Sequence, residues 1–275
     1  MDTMRDTILV TGGTGVLGAR VVQRLAEGGR PVRVLSRRLR WADARVPEKA
    51  EWAVGDLAEG TGLDAALDGV GTVVHCASDP RRWKNDVTGA RHLLAAARKA
   101  GSPHVLYVSI VGIDKVPFGY YRAKLEVERL VERSGLPWTV LRATQFHDLV
   151  LVIGQQVGRL PVVPVPSGVV LQPVDVGDVA VRVAELAVGE PAGRAPDLGG
   201  PAEWRLAEAV RAVLRAKGRR RPVVEVPVPG AAIRAVREGA LLVPGDRMGR
   251  RGFEEFLAAA PLGDRAYGAA QRAGS

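Results

Sequence analysis

The chain has 275 residues, of which 47% are hydrophobic and 25% charged, which suits one large globular domain or a core carrying a smaller lobe. No apolar run is long enough to span a bilayer, and the single cysteine, Cys76, excludes an internal disulfide and fits a reducing, cytoplasmic setting. The net charge of +9 raises nucleic-acid binding, but arginines are scattered along the chain, only Arg219–Arg221 cluster, and no zinc-ligand spacing or aromatic RNA motif accompanies them. The basic balance reads as a solvated face, with no nucleic-acid and no membrane partner expected.

In chain order, ILVTG (8–12) reads as a first strand and GVLGARVVQRLAEGG (15–29) as the helix after it, with Val16, Leu17, Val21, Val22 and Leu25 near helical spacing. VRVLSR (32–37) and AEWAVGD (50–56) read as strands two and three, TGLDAALDG (61–69) as a short helix and VGTVVHCAS (70–78) as strand four. Helices over 86–101 and 120–135 alternate with strands HVLYVS (104–109) and WTVLRA (138–143). This β-α order predicts a parallel, doubly wound α/β sheet. After residue 150, Pro and Gly become dense over 158–174. Helices are expected over 175–189, 204–218 and 253–260, a strand at APDLGG (195–200), and a Pro-interrupted edge strand at 221–229. The predicted organisation is a nucleotide-binding core over 1–150 and a substrate lobe over 151–275, packed as one structural unit.

Gly12, Gly15 and Gly18 form G-x-x-G-x-x-G between the first strand and first helix. The first glycine permits a sharp turn, the second a close approach of backbone to a pyrophosphate, and the third close packing of helix on sheet. The helix N-terminus then offers N–H groups to the phosphates. Thr14, Val16 and Leu17 belong to the same candidate site. Strand two ends in Ser36-Arg37-Arg38, where many NAD-binding chains carry an acid for the ribose 2′-hydroxyl. Two guanidiniums there would pair with a 2′-phosphate, so NADP(H) is preferred, with NAD(H) possible. Asp56 and Leu57 would flank the adenine, and Cys76, Ala77 and Ser78 would run beneath the ribose and nicotinamide.

TGGTGVLG (11–18), GDL (55–57), HCAS (75–78) and YYRAK (120–124) resemble the short-chain dehydrogenase/reductase superfamily. Residues 107–150, LQPVDVGDVA (171–180) and DLGGPAEW (197–204) are similar to its atypical, NmrA-like NAD(P)H-binding branch. The likeness covers nearly the whole chain and weakens after about residue 230. It implies a Rossmann core with a small C-terminal substrate lobe, in a branch that holds both reductases and redox sensors without turnover.

Tyr120 and Lys124 lie four apart on a predicted helix and share a face. Carbonyl reduction needs a proton on oxygen as hydride reaches carbon, and a nearby ammonium would lower the tyrosine pKa toward the working range. With Ser109 to hold the carbonyl, these resemble the Ser-Tyr-Lys set of the superfamily. Ser109 sits a little close to Tyr120 in sequence, and Tyr121, three before Lys124, competes for the acid role. Gln145, Phe146 and His147 are candidate substrate-pocket residues. His75 reads as core, and His92 and His104 have no obvious partners. Trp204, Phe253 and Phe256 line the second lobe or form its core. No cluster has metal-ligand spacing, so no metal is expected.

The resulting expectation is an NADPH-dependent reductase of a carbonyl, quinone or enone. The alternatives are a non-catalytic NADP(H) sensor and an NAD-dependent epimerase or dehydratase. The expected partner is a small-molecule substrate, and the sequence leaves monomer and homodimer open.

Overall fold

The computed structural model describes residues 6–40, 44, 46–79, 82–245 and 247–260. In chain order the elements are β1 (Thr7–Thr11), α1 (Val16–Glu27), β2 (Val32–Ser36), β3 (Glu51–Val54), α2 (Leu63–Leu67), β4 (Val70–His75), α3 (Lys84–Lys99), β5 (His104–Ile110), α4 (Gly119–Glu132) and β6 (Trp138–Ala143). They continue with α5 (His147–Val157), β7 (Val163–Pro166), β8 (Val170–Leu171), α6 (Val176–Val188), β9 (Gly193–Arg194), β10 (Trp204–Arg205), α7 (Leu206–Ala216), β11 (Val223–Val226), α8 (Ala231–Arg237) and α9 (Phe253–Ala259).

Seven strands form one sheet in the order β3-β2-β1-β4-β5-β6-β9. β1 pairs parallel with β2 and with β4, setting Val10 beside Val34 on one side and Val74 on the other. Such doubly covered parallel strands are apolar throughout, and Leu9, Val10, Val34, Val73 and Val74 are accordingly buried. The chain runs outward from β1 through β2 to β3, then returns to β4 and continues the other way. The strand order therefore reverses between β1 and β4, the crevice at which ligands of open α/β sheets bind. The fold is the α/β Rossmann type that the β-α alternation predicts.

The chain divides into two compact units. The first comprises residues 1–109, 119–142 and 180–196, and the second 110–118, 143–179 and 197–275. In the first unit, α3 and α4 bury Leu93, Leu94, Val127 and Val131 against Val73, Val105 and Val140 of the sheet. In the second, α7 packs Ala207, Val210 and Leu214 on Val163 and Val165 of β7. Gly154 of α5 lies so close to α7 that a Cβ there would stand 2.8 Å from Val213.

Several elements differ from expectation, including β9, α5, β7 and α8. The strand expected at 195–200 falls earlier, at Gly193–Arg194, and only isolated bridges at Leu198 and Gly199 follow it. α5 occupies 147–157, where no element was expected, because its apolar face follows strand six almost at once and its N-cap, Phe146, supplies no side-chain cap. β7, inside the proline-rich stretch, pairs parallel with β11. It tolerates Pro164 and Pro166 because Val163 N–H and Ser167 N–H carry the bonds, to Pro222 O and Val226 O.

Candidate functional site

The site begins at the turn that leaves β1. Gly12 has φ +67°, a left-handed conformation, and a Cβ there would lie 2.7 Å from the Ala77 backbone. Gly18, in the first turn of α1, passes so near Gly12 that a Cβ would collide with the Gly12 carbonyl. Gly15, by contrast, meets only the Gly12 carbonyl, at 3.1 Å, and its N–H donates to that same oxygen. Gly12 thus makes the turn and Gly18 the close packing that the spacing predicts. Gly13, not singled out from the sequence, is equally constrained, since a Cβ would stand 2.9 Å from Val34. α1 opens at Gly15 with no side-chain cap and no acid in its first turn. This bare, electropositive helix end fits a pyrophosphate.

At the end of β2, Ser36 Oγ accepts the Arg38 N–H at 3.2 Å and Trp52 Nε1 donates to Arg38 O at 2.7 Å. The turn is pinned by its backbone, with Arg37 and Arg38 exposed. At the end of β3, Asp56 accepts the Ala58 N–H at 2.7 Å and bridges to Thr61. Leu57 packs against Gly89, and its carbonyl accepts from His92 Nδ1 at 2.8 Å. His92 therefore has a partner that its sequence position did not reveal. So does His104, whose Nε2 bonds Thr139 Oγ1 at 2.8 Å.

β4 delivers His75, Cys76, Ala77 and Ser78 to the reversal point. His75 stacks on Tyr107 and bonds Thr11 Oγ1 at 2.7 Å, and burial, reinforced by the Lys124 charge, lowers its pKa to about 3. It is a neutral core histidine. Burial pushes the Cys76 thiol up to about 12, with Lys124 opposing, so it is no thiolate. Ser78 is exposed and meets Tyr120: the two hydroxyls lie 3.0 Å apart.

The expected Tyr120-Lys124 pairing does not form. Lys124 is buried, donates from Nζ to Val108 O at 3.0 Å and sits 4.6 Å above the Tyr107 ring. The two residues share a helix face, but their long side chains part, Lys124 toward β5 and Tyr120 toward Ser78. Burial pushes the Tyr120 phenol up to about 12; the Ser78 bond opposes this, and the Asp86 and Asp79 carboxylates add to it. Tyr120 is thus held in its proton-bearing form. Tyr121 is likewise pushed up to about 12, by burial and then by Tyr120.

Ser109 is buried and directed to a charge cluster. Its Oγ favours the ionised Glu128 carboxylate but falls short of hydrogen-bond geometry. Glu128, fully buried, accepts from Arg142 at 2.9 and 2.7 Å and from Arg194 at 2.8 Å. Burial alone would raise its pKa; the hydrogen bonds from Arg142 and Arg194, with the Ser109 hydroxyl nearby, outweigh it and hold the carboxyl below its ordinary value.

In the second unit, Gln145 and His147 are buried and hydrogen-bonded to distant backbone. Gln145 donates to Leu241 O at 3.3 Å and accepts the Gln172 N–H at 3.2 Å. His147 has no exposure, donates from Nε2 to Pro173 O at 3.0 Å and packs on Phe253 and Phe256. Its Nδ1 faces Asp175 at 3.7 Å, beyond hydrogen-bond length. Trp204 joins this aromatic core through Phe253. Phe146 alone of the three stays partly exposed. Among the described residues no group of three or more His, Cys, Asp or Glu could hold a metal, and no helix is long and apolar enough to cross a membrane.

A family described as NAD(P)H-binding matches residues 12–185. A (4-alkanoyl-5-oxo-2,5-dihydrofuran-3-yl)methyl phosphate reductase of Streptomyces griseus is 34% identical over 77% of this chain and 74% of its own length. An NAD(P)H azoreductase of Xenophilus azovorans is 32% identical over 54% of this chain. The chain spans about half the length of some curated relatives, 52% of the azoreductase and 54% of a Synechocystis protein. Among solved structures, an Escherichia coli NADPH-dependent quinone oxidoreductase complexed with NADPH superimposes with a TM-score of 0.78 at 19% identity, covering 91% of this chain and 98% of that one; this likeness is one of fold.

Proposed function

This chain belongs to the NAD(P)H-binding family, and we propose that it is an NADPH-dependent reductase of a small quinone, enone or other carbonyl compound. One observation carries the reading. The glycine turn and the Tyr120 hydroxyl converge on consecutive residues of one strand end, Gly12 against Ala77 and Tyr120 on Ser78. A dinucleotide laid over that strand end would bring its reactive ring beside a protonated phenol. The reductase names of two relatives support the same class.

When bound, reduced nicotinamide supplies a hydride. The chain's own residues do the rest. The α1 N-terminus holds the pyrophosphate, and Arg37 and Arg38 pair with a 2′-phosphate. Tyr120 gives its proton to the substrate oxygen as charge develops there. The unit of residues 1–109, 119–142 and 180–196 holds the cofactor in this reading.

Tyr120→Phe is expected to lower NADPH oxidation with a quinone by at least roughly a hundredfold, the lower end of a general-acid contribution. Cofactor affinity by calorimetry should change little. Equal turnover in the variant would remove Tyr120 from the mechanism.

Arg37→Ala with Arg38→Ala is expected to weaken NADPH and NADP+ by about tenfold, about 1.4 kcal/mol, and NADH and NAD+ far less. Equal losses for all four would refute the 2′-phosphate reading.

The position of Lys124 favours a second reading, a redox sensor without turnover, because its charge serves Val108 and Tyr107. A large difference in affinity between NADPH and NADP+, with no turnover on quinones, would select it.

A further inference from the structure

The hydrogen bonds at Tyr120 do not end at Ser78. Ser78 Oγ donates to Asp86 Oδ2 at 2.6 Å. A serine hydroxyl carries one proton, so with that proton committed to Asp86, Ser78 accepts from Tyr120. The chain therefore has one direction, Tyr120 to Ser78 to Asp86. Asp86 stands in the first turn of α3, and its Oδ1 accepts the Asp79 N–H at 3.0 Å, which fixes the carboxylate. Ser78 and Asp79 are exposed and Asp86 partly so. One end of the chain thus meets water and the other meets the phenol.

Tyr120 as a proton donor must be reloaded after every turnover. Lys124, the group expected to assist it, is engaged with Val108 O and the Tyr107 ring. Among the described residues, the other titratable groups that act on the phenol or are acted on by it are Asp86 of α3, Asp79 beyond β4, Tyr107 of β5 and Tyr121 of its own helix. Asp86 is joined to Tyr120 through the intervening Ser78 hydroxyl.

We propose that Ser78 and Asp86 form a proton relay that reloads Tyr120 from solvent. The inference rests on the reading of Tyr120 as the acid. In the forward step the carbonyl carbon gains a hydride with its electron pair from reduced nicotinamide, which is oxidised as the carbonyl is reduced. The Tyr120 O–H bond breaks and its proton forms the new O–H bond on the substrate oxygen. The phenolate then takes the Ser78 proton while Ser78 takes one from Asp86, which has acquired it from water. One solvent proton enters for each proton delivered. Ser78 and Asp86 act through Tyr120 and are positioning residues.

The test has two arms. In the cofactor-free protein carrying 13Cζ-labelled tyrosine, Tyr120→Phe assigns the Tyr120 resonance, and Ser78→Ala and Asp86→Asn should each shift it. In steady-state NADPH oxidation with 1,4-naphthoquinone, both variants should lose roughly tenfold in kcat above pH 8 and less near pH 6, where solvent protons are abundant. Their solvent deuterium isotope effect should rise, KM should hold, and Asp86→Glu should restore most of the rate. Ser78 is exposed, so its variant serves even if Asp86→Asn does not fold. An unmoved resonance in both variants, or unchanged pH profiles in both while Tyr120→Phe is inactive, overturns the relay. Full turnover in Tyr120→Phe overturns the acid reading beneath it.

Discussion

Gly12→Ala is expected to destabilise the protein by about 2–5 kcal/mol. A left-handed φ costs an L-residue about 1–2 kcal/mol, and forcing a Cβ into a packed contact costs about 1–3 kcal/mol more. Gly12 incurs both, with φ +67° and Ala77 backbone 2.7 Å from the new carbon. For a chain of this size the loss corresponds to a Tm lowered by roughly 5–15 °C. The carbon that cannot be placed belongs to the turn that aims the α1 N-terminus, so NADPH affinity should fall at least about tenfold as well. Gly15→Ala is the informative partner. Its φ of −79° suits alanine, and its one near neighbour is the Gly12 carbonyl at 3.1 Å. That variant should melt within a few degrees of wild type yet bind NADPH as poorly, because its methyl group would occupy the path proposed for the phosphates. Paired melting curves and calorimetric titrations separate the two. A Gly15→Ala protein that binds normally would show that no phosphate approaches this turn.

Glu128→Gln should cost about 3–5 kcal/mol, the range for removing one partner of a buried ion pair. The glutamine matches the carboxylate in size but removes the negative charge that lies 2.7 Å from Arg142, whose side chain is only 12% exposed. Arg194, 43% exposed, can turn to water or to Glu132 and should suffer less. The sign with pH follows from the direction of the shift. Glu128 is held below its ordinary value in the folded protein, so its contribution is complete above about pH 4.3, the unfolded value. It is lost as pH falls below that toward the depressed native value. Wild-type and variant unfolding free energies should therefore lie apart at neutral pH and converge in acid. A constant gap down to pH 3 would assign the loss to packing.

The glycine turn was legible because glycine is a statement about backbone, and backbone constraints survive without knowledge of partners. The β-α alternation was legible for a similar reason: apolar runs such as ILV and VVH fit a strand covered on both faces. What the sequence did not disclose is where long side chains end. Spacing puts Tyr120 and Lys124 on one face of α4, but Val108 O and Ser78 draw their tips apart. Gln145 and His147 follow a strand end, which suggests a pocket, yet partners 26 to 96 residues away in sequence tie them into the framework. Asp86 was visible only as the first residue of a predicted helix. An acid in a first turn is ordinary, and its link to Ser78 depends on the path of the chain between them. β9 escaped because two residues carry no periodicity, and a glycine and an arginine carry no strand preference.

β9 has a consequence for synthesis. The first six strands of the sheet can pair in the order in which they are made, but the outer edge of β6 accepts its partner only when Gly193 and Arg194 arrive. Until then a nascent chain presents an unpaired strand edge, a template for association with other chains. It also carries Glu128 with one of its two arginines missing. A chain stalled or truncated before residue 193 would thus be both sticky and electrostatically unbalanced, and the ribosome must carry that species through about fifty residues of further elongation, a few seconds at ordinary rates of synthesis.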